Sequence, residues 1–251
     1  MTRSAPPPAP RPEWAYFLDI DGTLVDLADS PTGTSLDADP RQLIEGLCRV
    51  AAGAVALISG RSIADIDRMA YDLRLPAAGQ HGMERRDAAG RMSRHAFPSE
   101  ALDGVRRELA AAVATHRGLE LEDKGLSLAL HYRQAPRLAG FAHRLMHSLA
   151  TRIGPQYCVQ GGKRIVEMKP AGKDKGVAVE EFMQEEPFRG RTPVFVGDDT
   201  TDEYGFATVN RLAGHSVKVG PGRTAARWRL RDVRAVQAWL QRGLAAAAVG
   251  P

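Results

Sequence analysis

Two acids one residue apart, Asp19 and Asp21, close the apolar run of "FLDIDGTLVD" at 17–26. Like charges that close repel and Asp forms strands poorly, so the pair requires a cation, a shared proton or a turn. A second apolar run, "VFVGDD" at 194–199, also ends in carboxylates, Asp198 and Asp199, with Asp202 following three residues later. Ligands of parallel α/β sheets bind beyond the carboxyl ends of the strands, and there these acids would converge. Three or four Asp oxygens in one crevice make a hard-cation site, and Mg²⁺ suits it because it takes few protein ligands and keeps its waters. Whether Asp199 and Asp202 would touch the metal or support its ligands stays open at this level.

Other residues handle phosphate. "ALISGR" at 56–61 puts Ser59 and Gly60 at a strand end, where a hydroxyl and backbone N–H groups can hold phosphate oxygens. "AGKDKG" places Lys175 at a helix start, where a cation opposes the helix dipole and so calls for an anionic partner. "GPGRTA" at 220–225 fits GxGxxA, but no acid follows at the distance a dinucleotide site needs; it reads as a strand-to-helix turn. No GxxxxGK[ST] loop occurs, which excludes that type of nucleotide hydrolase.

The elements that must position these groups alternate. Residues 14–20 and 54–59 read as buried strands, and 76–82 as a third, short one. Leu43, Ile44, Leu47 and Val50 recur at helical spacing after Pro40, beyond the Asp-, Ser- and Pro-rich loop 26–40; a second helix follows Ser62 as N-cap. Such alternation implies a parallel sheet. From residue 83 the rhythm changes: a hairpin turning at Ala88–Gly90, a helix over 99–117, a hairpin over 119–133 around Lys124–Gly125, a helix over 135–152, and a hairpin turning at Gly161–Gly162. Helix 174–185 and strands 192–199 and 216–220 then restore the first pattern. The fold class is therefore α/β, a Rossmann-like parallel-sheet core over 14–84 and 171–251, with an inserted α+β domain over 85–170. The Pro-rich residues 1–13 read as a disordered tail, and "GLAAAAVGP" at 243–251 as a frayed end.

Composition narrows the partners. The chain has 251 residues, 43% of them hydrophobic, enough for buried cores, and a formal net charge of +4. Its basic residues form no run of five or six, which argues against nucleic acid and for a small anionic substrate. Cys48 and Cys158 fit no CxxC pattern, pointing to a reducing compartment. Without a leader-like or membrane-length apolar stretch, the expectation is a cytoplasmic protein with no membrane partner.

"DIDGT", "ISGR", "KDKG" and "GDDTTDE", in this order, resemble the four motifs of the haloacid dehalogenase superfamily, and the insert lies where its C2-capped phosphatases carry their cap. "GQHGMERR", "LALHYRQAP", "VEMKPAGKDKG" and "VKVGPGRTAARWRL" are similar, more narrowly, to the bacterial trehalose-6-phosphate phosphatase family, from about residue 14 to about residue 240. The resemblance implies Asp19 as the nucleophile of an aspartyl-phosphate intermediate, and Asp21 as acid and then base. Gly22 would let both acids face one phosphate, which Ser59 and Lys175 would hold. Mg²⁺ would be held by Asp19, the Asp21 carbonyl and Asp198. The insert would be a lid reading the sugar of trehalose 6-phosphate through Glu122, Lys124, Arg133 and Glu167, although alternating charges on a hairpin are also what a solvated face looks like. His131 and Tyr132 would pack or support, and His81 would line the crevice. Functional coupling to a trehalose-6-phosphate synthase is left open. Two rivals remain: the same chemistry on another sugar phosphate, and a non-catalytic sugar-phosphate sensor.

Overall fold

The computed structural model describes residues 6–26, 38–70, 73–95 and 101–249. In chain order the elements are β1 (Trp14–Leu18), α1 (Ala38–Val50), β2 (Val55–Ile58), α2 (Ile63–Met69), β3 (Ala77–Gly79), β4 (Glu84–Arg86), β5 (Met92–Arg94), α3 (Ala101–Thr115), β6 (Glu120–Asp123) and β7 (Leu128–His131). They continue with α4 (Ala139–Ile153), β8 (Tyr157–Gly162), β9 (Ile165–Pro170), α5 (Lys175–Phe182), β10 (Thr192–Gly197), α6 (Asp202–Arg211), β11 (His215–Val219), β12 (Trp228–Leu230) and α7 (Val233–Val249). The chain divides into two compact units, Met1–Ser93 with Asp174–Pro251, and Arg94–Lys173.

The first unit is built on a sheet of order β12-β11-β10-β1-β2-β3-β4-β5. Its six strands from β12 to β3 run parallel. Every residue of β1, β2 and β3 is buried, the signature of strands covered on both faces. Phe17 of β1 stacks on Phe188 at 5.5 Å between ring centres, and Phe195 of β10 meets Phe206 of α6 edge-on at 5.7 Å. The register then sets the chemistry: Leu18 pairs with Val196 on one side and with Leu57 on the other. Strands in that register finish together, so Asp19, Ser59 and Asp198 all emerge at one edge.

The second unit is a four-stranded antiparallel sheet, β6-β7-β9-β8. Leu128, Leu130, Val166 and Met168 from its strands join Leu102 and Leu109 of α3 and Met146 and Leu149 of α4 in one buried cluster. The pairing places Glu122 opposite Ala129, Ala129 opposite Glu167, and Glu167 opposite Gln160, one row on the face away from those leucines.

Several expectations are corrected. The hairpin after residue 83 does not begin the insert: β4 pairs antiparallel with β3 and extends the core sheet, because Arg86 is buried and bonds Asp67 and the Leu75 carbonyl. The third strand ends at Gly79, as Gln80 and His81 both take left-handed backbone angles. In the second unit, Gly162 pairs with Ile165, so the last hairpin turns at Lys163–Arg164, two residues beyond the glycine pair. "GPGRTA" joins β11 to another parallel strand, β12, rather than to a helix. Among the described residues neither tail segment is frayed: Pro7 and Pro10 are buried, the Trp239 indole donates to the Pro8 carbonyl at 2.8 Å, and α7 continues through Val249. Residues 1–5 of the first tail, 250–251 of the last and 27–37 of the 26–40 loop lie outside the described residues. No helix among the described residues is long and apolar enough to cross a membrane.

Trp239 is fully buried and ties the proline segment to α7. Trp239→Ala should cost about 3–5 kcal/mol of stability, read as a shift in the urea-unfolding midpoint at constant slope.

Candidate active site

The site starts at the last residue pairs of β1 and β10. Asp19 donates its backbone N–H to the Val196 carbonyl at 3.0 Å, which extends the ladder one residue and fixes where its side chain leaves the sheet. The chain then turns at once: the Ile20 carbonyl accepts from Thr23, Leu24 and Val25, and Gly22 donates to Val25 at 2.8 Å. Gly22 sits at φ +76°, and a Cβ there would lie 2.4 Å from an Asp198 carboxylate oxygen. Only glycine satisfies both the turn and that approach. The sequence placed Gly22 for the turn; the contact with Asp198 comes from the fold.

Lys175 opens α5, whose N-cap Asp174 accepts from the Val177 N–H at 2.9 Å. Its ammonium lies between two carboxylates, 2.7 Å from Asp19 Oδ1 and 2.6 Å from Asp202 Oδ1. All three residues are buried. Gly176 makes this possible, because a Cβ there would fall 2.6 Å from the Tyr204 carbonyl and hold α6 away. Burial by itself would lower the Lys175 pKa, yet Asp19 and Asp202 outweigh it and hold it well above the ordinary lysine value. The lysine is therefore a permanent cation. Burial pushes the Asp19 carboxyl well above the usual carboxylate range; Lys175 pulls against this, and Asp202 and Asp198 add to it. Thr23 donates its hydroxyl to Asp19 Oδ2 at 3.1 Å.

Asp202 has no exposure at all. Its second oxygen accepts the backbone N–H groups of Asp198 and Asp199, each at 2.8 Å, so this side chain shapes the turn after β10 as well as holding Lys175. Oxygens of Asp19, Asp198 and Asp202 all lie within 4.8 Å of one another. Lys218, buried on β11, donates to the Asp198 main-chain carbonyl; nothing in its sequence position marked it. Three buried carboxylates against two buried lysines leave negative charge in excess. That donor set, all hard oxygens, fits a divalent cation such as Mg²⁺. Asp202 is the least available of the three acids, since both its oxygens already serve the lysine and the turn.

Ser59 follows β2, and its hydroxyl accepts the Arg61 N–H at 3.2 Å. Asp21 is forked by the Arg61 guanidinium, Nε to Oδ2 and Nη2 to Oδ1, both at 2.6 Å. Arg61 was legible only as the last letter of "ISGR". Behind this loop, Gln80 donates its N–H to the Arg61 carbonyl at 2.8 Å and His81 donates to the Ser59 carbonyl at 3.0 Å. Their φ angles of 47° and 58° are strained for side-chain-bearing residues, about 1–3 kcal/mol each, and the buried Gln80 Oε1 has no hydrogen-bond donor among the described residues. His81 thus supports the Ser59 loop through its backbone.

In the second unit, Glu167 accepts from the Ser127 hydroxyl at 2.6 Å and from Lys124 at 3.4 Å, while Glu122 pairs with His131 at 2.8 Å and with Lys124 at 4.0 Å. Burial raises the Glu122 pKa, but the His131 bond and the Lys124 charge overcome it and leave the carboxyl below its usual value. Glu122, Lys124 and Glu167 therefore form one charged network. Arg133 stands past the end of β7 and is exposed. Tyr132 is buried, with its hydroxyl 3.3 Å from His143 Nε2.

A parallel sheet that delivers acids from adjacent strand ends to a buried lysine, interrupted by an antiparallel insert, is the architecture of the haloacid dehalogenase superfamily. Residues 17–234 match the trehalose-phosphatase family, and the chain belongs to that family. It is 46% identical over 229 residues to the trehalose-6-phosphate phosphatase of Escherichia coli (strain K12), covering 91% of this chain and 86% of that protein. A probable trehalose-phosphate phosphatase of Sinorhizobium fredii is 42% identical over 208 residues, covering 83% and 78%. Among solved structures, the C-terminal domain of C. albicans trehalose-6-phosphate phosphatase superposes with a TM-score of 0.82 at 21% identity, over 92% of this chain and 91% of that one.

Asp202→Ala should leave the buried Lys175 with Asp19 alone of its two carboxylate partners and take the acceptor from the Asp198 and Asp199 N–H groups. The expected loss is about 3–5 kcal/mol in urea unfolding at pH 7.

Proposed function

We propose that this chain hydrolyses trehalose 6-phosphate to trehalose and inorganic phosphate, as a phosphoric monoester hydrolase. The observation that carries the reading is the fixed Asp19 carboxylate, buried at a strand end against Lys175, in a member of the trehalose-phosphatase family. A carboxylate so placed can serve as a nucleophile toward phosphorus. In the first half-reaction an Asp19 oxygen bonds to phosphorus as the bond from phosphorus to the sugar oxygen breaks, and Asp21 gives that oxygen a proton. In the second, Asp21 takes a proton from water, the water oxygen bonds to phosphorus, and Asp19 is released; one water is consumed overall. Lys175 keeps Asp19 in place and offers its charge to the phosphoryl oxygens, with Ser59 as a further donor. Asp19, the Asp21 carbonyl and Asp198 would hold Mg²⁺, which when bound offsets the repulsion between a carboxylate and a phosphoryl anion.

A phosphate alone cannot identify a disaccharide; buried polar groups matched to sugar hydroxyls can. Glu122, Lys124 and Glu167, with Arg133, are assigned that role. Their joined network favours this over a solvated face, since Glu167 is buried and its partners are side chains.

Phosphate release across a panel of sugar phosphates tests the activity, and trehalose 6-phosphate should exceed glucose, sucrose and mannose phosphates. Asp19→Asn should abolish turnover in a chain that still unfolds cooperatively in urea; residual steady-state activity in a contaminant-free preparation would remove Asp19 from its role. A chelator should silence the enzyme, Mg²⁺ should restore it, and Ca²⁺ should do so poorly because its looser shell misplaces the oxygens.

Glu122→Ala, Lys124→Ala and Glu167→Ala should each lower trehalose 6-phosphate turnover by an amount corresponding to about 1–3 kcal/mol, leaving hydrolysis of a small aryl phosphate nearly unchanged. Equal losses on both substrates would assign these residues to folding.

A further inference from the structure

We infer that Arg61 is a positioning residue for Asp21, holding its carboxylate in one plane through both proton transfers; this rests on the acid–base role proposed for Asp21. The pair links two loops forty residues apart, one leaving β1 and the other leaving the adjacent strand β2. Both Asp21 oxygens accept guanidinium N–H at 2.6 Å. A two-point arginine–carboxylate fork fixes the plane of the carboxylate as well as its distance, which no single-point contact does.

The fork has a rigid base on each side. On the Asp21 side, the residue bridges to Val25 and the neighbouring Gly22 N–H bonds the Val25 carbonyl. On the Arg61 side, its N–H is taken by the Ser59 hydroxyl and its carbonyl by the Gln80 N–H, while the Ser59 N–H bonds the Ala78 carbonyl. The Gln80–His81 turn behind this loop is the left-handed pair, so an unfavourable backbone is maintained where it holds Arg61. The side chains are also reachable, 16% exposed for Arg61 and 28% for Asp21, so a ligand can approach what the backbones hold still.

The geometry has a consequence for the reaction. Each carboxylate oxygen has two lone pairs and the fork takes one on each, so Asp21 keeps the outer pair of each oxygen for a leaving oxygen or for water. Arg61 thus fixes the plane in which those pairs point and holds Asp21 in register for both proton transfers.

The test is a kinetic double-mutant cycle on trehalose 6-phosphate with the full chain and saturating Mg²⁺. Arg61→Ala should lower kcat about tenfold or more with KM within about threefold, but cost less than about threefold when Asp21 is already Asn, because the two act as one unit. Arg61→Lys, which keeps the charge without the fork, should recover part of kcat and carries the cycle if the alanine variant unfolds. Urea midpoints of all variants separate folding from function. The same fold-loss in both backgrounds would overturn the inference, and so would a rise in KM at unchanged kcat, which would make Arg61 a phosphate binder in its own right. If the unmodified chain releases no phosphate from the sugar phosphate, the proposed function itself fails and the inference with it; normal turnover with an additive cycle removes the inference alone.

Discussion

Everything in the first unit is arranged around one electrostatic problem, the burial of Asp19, Asp198 and Asp202 within a few ångströms of each other. Water cannot screen them there, and like charges at that separation destabilise the fold unless a cation is built in. Lys175 is that cation, in contact with two of the three acids. Its own burial is tolerable for the same reason in reverse. Neither the lysine nor the acids could be kept where they are without the other.

The architecture around the cluster follows from this requirement. Lys175 and Asp202 begin neighbouring helices, and the two helices must approach closely for the ion pair to form; Gly176 against the Tyr204 backbone provides that approach. The turn at Asp198 and Asp199 is held by the second oxygen of Asp202, which accepts both of their N–H groups. Lys218 reaches the same turn from β11 on the other side. One aspartate therefore couples the charge balance to the loop geometry, and the phenylalanine layer beneath the sheet keeps the strand ends from drifting.

The second unit solves a different problem by similar means. Its sheet buries leucines on one face against two helices, and on the other it sets Glu122 and Glu167 in one row with Lys124 within reach of both. Ser127 and His131 each take one carboxylate, so neither acid is left to choose its own rotamer. Polar groups held this way are oriented before any ligand arrives.

Much of this was written in local sequence. Short apolar runs ending in Asp gave the strands and the side on which they open, because burial and strand-end chemistry depend on neighbours along the chain. Lys175 at a helix start announced its need for an anionic partner, though not which one. Glu122, Lys124 and Glu167 were marked by the family resemblance, because alternation along their hairpins could not separate a working face from a solvated one. Tertiary structure alone decided the rest. Arg86 drew the 84–94 hairpin into the core sheet by finding Asp67; a proline segment with no periodicity packed because Trp239 needed an acceptor; Asp202 became the lysine's second partner; and Arg61 met Asp21 across forty residues. These outcomes depend on which charges and donors meet after the chain has closed on itself. Pairing between residues far apart leaves no period or propensity in the sequence to read, whereas burial and turn chemistry do.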